Sequence, residues 1–217
     1  MDKYYHTIRK KSIKGVILGV VLVLGGAYFI YDLCIVRGMP SDDGIVYLVL
    51  WVGIEALGLF ALISSLQDVS RLKKKISKMG LDESLLAQDL EGGLSYKDCV
   101  VGGKYALQCK SRPEVIQLDD ALVIYMDVTS TTSKSYTTYS YYIKVVERSG
   151  EEKYLSANDD KEMKEIFTQL TQMRPYVITH MDSVIRELKK KNLSELIRIA
   201  DERRSQYESG SIGSGNA

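Results

Sequence analysis

The sequence has little of the side-chain chemistry on which most enzymes and metalloproteins depend. It contains two histidines, His6 and His180, and three cysteines, Cys34, Cys99 and Cys109. The cysteines have neither the spacing of zinc ligands nor that of a disulfide framework. The sequence also lacks a phosphate-binding loop, a nucleophile elbow and an HExxH motif. We therefore predict a protein that is not an enzyme and that uses no metal and no cofactor.

A charge of one sign is also missing. The 217 residues include 29 Lys and Arg against 28 Asp and Glu, a net charge of +1. Proteins that bind nucleic acids usually carry a basic excess, so we predict no nucleic-acid partner. The length allows one domain with membrane segments, or two small domains.

Long apolar runs are present, and they precede residue 67. Residues 13–31 and 45–66 are each long enough, at about 1.5 Å per residue, to approach the ~30 Å core of a bilayer. They predict two transmembrane helices joined by an external loop, 32–44. A basic start before an apolar run also fits a signal peptide, but the second run favours a retained hairpin.

Cations flank the outer ends of both runs. The positive-inside rule then predicts a multi-pass protein of the cell membrane, with the N-terminal segment 1–12 and the C-terminus in the cytoplasm. The partner would be the lipid bilayer, and anionic lipid headgroups would be further contacts. The basic residues would either only set the topology, with nonspecific headgroup contact, or recognise a specific lipid. The candidate basic residues are Arg9, Lys10, Lys11, Arg71, Lys73, Lys74 and Lys75.

Glu55 is the one acid within the second run. A carboxyl at that depth favours a hydrogen bond that joins the two helices, with subunit assembly or proton and cation handling as alternatives. The glycines Gly15, Gly19, Gly53 and Gly58 would allow close helix packing, either within the hairpin or in a homo-oligomer.

Residues 67–93 form an amphipathic connector, after which the hydrophobic period changes from helical to alternating. Gly102 and Gly103 predict a tight hairpin turn, with Val101 opposite Lys104. This turn would place Cys99 and Cys109 on opposite faces of the sheet.

The remaining chain predicts five or six antiparallel strands followed by helices. The polar stretch 129–138 indicates a loop, in which Tyr136 and its neighbouring tyrosines could contact a partner. An amphipathic helix follows Asn158, its predicted N-cap. Its apolar stripe is formed by Met163, Ile166, Phe167, Leu170 and Met173. Further helices are predicted over 181–207, and a disordered tail over 208–217.

Four stretches within 94–180 carry a resemblance. They are KYALQC, LDDALVIY, YSYYIKVV and NDDKEMKEIFTQLTQMRP. Their order is similar to that of bacterial pleckstrin-homology-like (PH-like) domains attached to a two-helix membrane anchor. The resemblance implies an antiparallel partial barrel with a C-terminal helix at one open end, and no specific ligand.

Together these features predict an α+β membrane protein, in which a transmembrane hairpin carries a cytoplasmic PH-like module that binds protein, peptide or lipid. The alternative is an accessory subunit of a membrane transport or envelope assembly. In that case Glu55 and the transmembrane glycines would form the interface with a membrane protein partner.

Overall fold

The computed structural model describes residues 1–32, 42–110, 112–133 and 136–210. The chain divides into two units, Met1–Lys74 with Ser111–Pro113, and Lys75–Lys110 with Glu114–Ala217. Cys34, most of the predicted external loop and residues 211–217 of the predicted tail lie outside the described residues.

Two long helices, α1 (Asp2–Tyr31) and α2 (Asp42–Lys78), provide most of the first unit. They run antiparallel, as two contacts show. Ser12, in the first half of α1, donates a 2.9 Å hydrogen bond to Asp68, late in α2. Farther along, Phe29 stacks on Trp51 with ring centroids 4.4 Å apart. Both helices expose large apolar side chains, such as Leu24.

The predicted transmembrane hairpin is wrong. Among the residues that the structure describes, no helix has both the length and the apolar character needed to cross a bilayer. The predicted location in the cell membrane, with two spans and cytoplasmic termini, is corrected for the same reason.

The second unit is α+β, and it contains seven strands in two antiparallel sheets where five or six strands were predicted. One sheet has the order β1-β2-β3-β4 and the other β5-β6-β7. The strands are β1 (Leu94–Ser95), β2 (Cys99–Val101), β3 (Tyr105–Gln108), β4 (Glu114–Gln117), β5 (Ala121–Thr132), β6 (Thr137–Glu147) and β7 (Glu152–Ala157). The helices are α3 (Glu83–Glu91), α4 (Asp160–Met173), α5 (Ser183–Lys191) and α6 (Leu193–Glu208).

Side-chain caps set where these helices begin. Asp82, Asp159, Asp182 and Asn192 each accept a hydrogen bond from a backbone N–H in the first turn of α3, α4, α5 and α6. The predicted cap of α4 at Asn158 is therefore wrong by one residue. The predicted apolar stripe of α4 is confirmed: Met163, Ile166 and Leu170 are buried, and Phe167 and Met173 pack partly buried against the same core.

The β5–β7 sheet buries apolar side chains on both faces. Ile124, Ile143 and Leu155 point into a core shared with strands β2–β4 and with α4. Val123 and Val146 point to the other face, where α5 and α6 cover them. Because the side chains of a strand alternate, this sheet is the middle layer of the unit.

A buried ion pair joins the two sheets. Lys153 on β7 lies 2.7 Å from Glu147 on β6, and their side chains are only 10% and 9% exposed. Glu147 accepts a 3.1 Å hydrogen bond from the Gln117 N–H, and Lys153 donates a 3.0 Å bond to the Val115 carbonyl. The pair thus provides hydrogen-bond partners for two backbone groups of β4, the Gln117 N–H and the Val115 carbonyl, that no described neighbouring strand bonds.

A second polar contact crosses between the sheets. Gln108 on β3 donates to the Ser156 hydroxyl and accepts from the Ser156 N–H, both at 2.9 Å. Gln108 is fully buried. Both of its amide atoms are satisfied, as a buried amide requires.

The β2–β3 hairpin differs from its prediction by two residues. Val101 pairs with Ala106, not with Lys104, although Cys99 and Cys109 do face opposite sides of the sheet. Gly102 and Gly103 do not have positive φ. Gly102 is needed for close approach, since a Cβ there would lie 2.3 Å from the Asp89 carboxylate.

Asp89 of α3 holds this hairpin. Its carboxylate accepts hydrogen bonds of 3.0–3.1 Å from the N–H groups of Gly103, Lys104 and Tyr105. The hairpin is therefore held by a carboxylate that accepts from three consecutive backbone N–H groups, and not by the two-glycine turn that we expected.

The ion pair between the sheets generates a stability prediction. Lys153→Met leaves the buried Glu147 carboxylate unpaired, so we expect a loss of about 3–5 kcal/mol in the free energy of unfolding. Urea unfolding followed by circular dichroism measures it. Lys164→Met is the matched control, because Lys164 pairs with Asp160 on the exposed surface of α4. It should cost less than about 1 kcal/mol. Equal losses in the two variants would show that the buried pair does not join the sheets.

Candidate functional site

The outer half of the β5–β6 hairpin projects beyond the core as a two-stranded ribbon. We call residues 126–133 and 136–142 the ribbon. Strand pairing continues to Thr132 and Thr137, so the predicted loop over 129–138 is wrong. Met126, Val128, Tyr136 and Tyr139 are 41–67% exposed.

The two faces of the ribbon differ in chemistry. Met126, Val128, Tyr139 and Tyr141 continue the face that is buried at Ile124. The row is apolar, and it passes from the core directly into solvent. Exposed apolar rows of this kind mark interaction sites more often than isolated apolar residues do.

The free edge of β5 adds backbone groups to this surface. Ile178, in the segment after α4, accepts a 2.8 Å hydrogen bond from the Ile124 N–H and donates a 3.1 Å bond to the Leu122 carbonyl. The backbone of Ile124 therefore faces away from β6. By the alternation of a strand, the N–H and C=O groups of Met126, Val128 and Ser130 face the same way.

No described residue pairs with that outer part of the β5 edge. The chain's own Ile178 covers the inner end of the edge as a parallel bridge, opposite Val123. Beyond it the edge carries no proline and no lysine among the described positions 126–133, two devices that usually protect an exposed edge.

The opposite face of the ribbon base carries an ion network. Lys144 lies 2.8 Å from Asp127 and 3.3 Å from Glu152, and Lys189 of α5 also pairs with Glu152. The hydrogen bond with Asp127 raises the pKa of Lys144 above its usual value. Burial and the nearby Glu152 charge raise the pKa of Tyr125 to about 12, so its hydroxyl remains a donor.

Burial alone would raise the pKa of Glu152, but its partners have the larger effect. The hydrogen bond and charge of Lys189, the Tyr125 hydroxyl and the Lys144 charge together hold the pKa below its usual value. Glu152 is therefore ionised at neutral pH and links α5 to the sheet.

Glu55 and all four predicted glycines belong to the first unit, and two of the glycines, Gly19 and Gly58, lie where α1 and α2 pack. A Cβ at Gly58 would lie 3.2 Å from the Gly19 carbonyl oxygen, so the backbones approach closely there. Glu55 is half-buried beside Gly26. Gly53 has no atom within 4 Å of its Cβ position. The surroundings of Gly15 are outside the described residues.

Three of the predicted basic residues have partners among the described residues. Arg71 donates to Gln67, Lys73 lies over the Tyr5 ring, and Lys75 pairs with Glu114 at 2.9 Å. The other predicted residues with described side chains, Arg9, Lys10 and Lys74, are exposed, and the side chain of Lys11 is not described.

Sequence reasoning missed the most informative feature, the pairing of Ile178 with β5. The apolar pair Val177 and Ile178 after Pro175 was the only available signal, and a dipeptide does not reveal which strand it joins. The outer part of the ribbon, within 129–138, was predicted as a loop, because polar residues in a solvent-exposed strand pair have the composition of a loop.

Comparison with protein-family models, with curated proteins and with solved structures finds no match for this chain. Among the described residues, no group of three or more histidine, cysteine, aspartate or glutamate side chains is arranged to hold a metal ion.

The Glu152 network predicts a pH dependence of stability. A carboxyl whose pKa is lower in the folded state stabilises the fold above its usual value of 4.5, and that contribution is lost as the pH falls through the lowered value. Glu152→Gln should therefore be less stable than the native chain at about pH 6, with the difference shrinking toward about pH 3. Urea unfolding at both pH values measures the difference. A difference that stays constant with pH would contradict the lowered pKa.

Proposed function

We propose that the second unit is a non-enzymatic PH-like binding module that takes up an extended peptide along the free edge of β5. The observation that carries this proposal is the outward-facing backbone beyond Ile124, next to a strand segment of the chain itself. An edge that already accepts Ile178 has the geometry to accept a further strand.

The order of elements supports the PH-like part of the proposal. A four-stranded and a three-stranded antiparallel sheet precede α4, which packs on the core between them. This is the order that the resemblance implies, with a C-terminal helix after the last strand. Helices α5 and α6 are additions that cover the outer face of the β5–β7 sheet.

The chemistry of the edge defines the peptide. A strand beside β5 would place alternate side chains next to Met126 and Val128, which are 41% and 46% exposed. The peptide should therefore carry apolar residues at alternate positions. Backbone hydrogen bonds to Val128 and Ser130 would hold the strand whatever its remaining sequence.

A display library of random seven-residue peptides, selected against the full chain, tests the proposal. We expect the selected peptides to alternate apolar and polar residues. Val128→Pro removes one outward N–H group, and proline is tolerated where the N–H faces solvent. We expect it to weaken binding of a selected peptide at least about tenfold, through the lost hydrogen bond and the bulk of the ring.

Val128→Thr is the matched control, because threonine keeps the shape of valine and the backbone N–H. It should bind within about threefold of the native chain. Equal binding by the proline variant, with an unchanged circular dichroism spectrum, would show that the peptide does not pair with β5.

A further inference from the structure

A cavity of about 360 Å³ lies on the face of the β5–β7 sheet that bears the ion network. It is bounded by the sheet on one side and by α5 on the other, and Met181 lines the connection between them. The volume falls in the range of cavities that hold small ligands. The cavity is separate from the free edge of β5, which lies along the side of the sheet.

The charges around this cavity do not balance. Four cations line it, Lys144, Arg186, Lys189 and Lys190, against two carboxylates, Asp127 and Glu152. The two carboxylates already pair with Lys144 and Lys189. The cavity therefore has an excess of two positive charges.

Arg186 and Lys190 carry that excess. None of the carboxylates in the described part of the chain lies within ion-pair distance of either side chain. They are four residues apart on α5, so they lie on the same face of the helix, where like charges repel. A bound anion between them would remove this repulsion.

The donors favour a phosphate group. Arg186 offers a planar fork of N–H groups, and Lys190 offers a compact charge, a combination suited to a tetrahedral dianion. Tyr125, whose hydroxyl hydrogen-bonds to Glu152, supplies a neutral polar group at the wall. A phosphate monoester carries about −1.5 to −2 at neutral pH, which matches the excess of charge.

We propose that this cavity binds the phosphate group of a small phosphorylated molecule, with Arg186 and Lys190 as its principal ligands. The proposal does not depend on strand addition at β5. It assigns a second ligand site to the unit, next to α5.

Calorimetric titration of the full chain at low salt tests the site, with inorganic phosphate and glycerol 3-phosphate as the probes and glycerol as the neutral reference. We expect both phosphates to bind and glycerol not to bind. Tighter binding of the ester would assign the site to phosphate monoesters, and equal binding would assign it to free phosphate. Both results support the proposal.

Arg186→Gln and Lys190→Gln should each weaken phosphate binding about tenfold, because each removes one charge-assisted contact. Both side chains are exposed, so the fold should tolerate either change. Lys191→Gln is the matched control, since Lys191 is on the same helix, pairs with Glu187 and does not line the cavity. It should stay within about twofold of the native chain.

Three results would overturn the proposal. They are no detectable phosphate binding, equal losses in the Lys191 control and in the two cavity variants, and tighter binding of succinate than of either phosphate. The last would assign the cavity to dicarboxylates instead.

Discussion

The second unit depends on the contact between Lys153 and Glu147. These residues make the ion pair that satisfies the open backbone groups of β4, and they do so from the β6–β7 side of the structure. Two charges with little exposure are costly to bury, and the cost is offset only when every donor and acceptor is satisfied. Here Gln117 and Val115 each provide one further hydrogen bond, to Glu147 and from Lys153 respectively. The pair therefore fixes how the two sheets meet more than it adds net stability.

The β5–β7 sheet carries apolar side chains on both faces, and the core that it shares with the other sheet and α4 covers only one of them. Helices α5 and α6 supply the second layer, and the segment before them pairs with the inner edge of β5 through Ile178. The sheet is covered at its inner end and open at its outer end. The free edge, the apolar row at Met126 and Val128, and the cationic cavity all lie where that cover stops.

Local features of this fold could be predicted from the sequence, and long-range ones could not. The apolar stripe of α4 follows from a 3.6-residue period, and the opposite faces of Cys99 and Cys109 follow from strand alternation. The partner of Lys153 could not be predicted, because no local pattern links a β7 lysine to the β4 backbone. The outer part of the ribbon, within 129–138, was predicted as a loop because both of its faces are accessible to solvent, so its polar sequence did not distinguish a strand from a loop. The transmembrane hairpin was inferred from the length of two apolar runs and the cations that flank them, and no helix in the described part of the chain supports it.

The binding module that we propose requires the backbone of β5 beyond Ile124 to be open. Amide hydrogen exchange, measured residue by residue by NMR on the full chain, tests whether it is. We expect alternation: the N–H groups of Met126, Val128 and Ser130 exchange fast, while those of Asp127 and Thr129, which face β6, are protected. Equal protection along the strand, or protection of Val128 above that of Thr129, would contradict it.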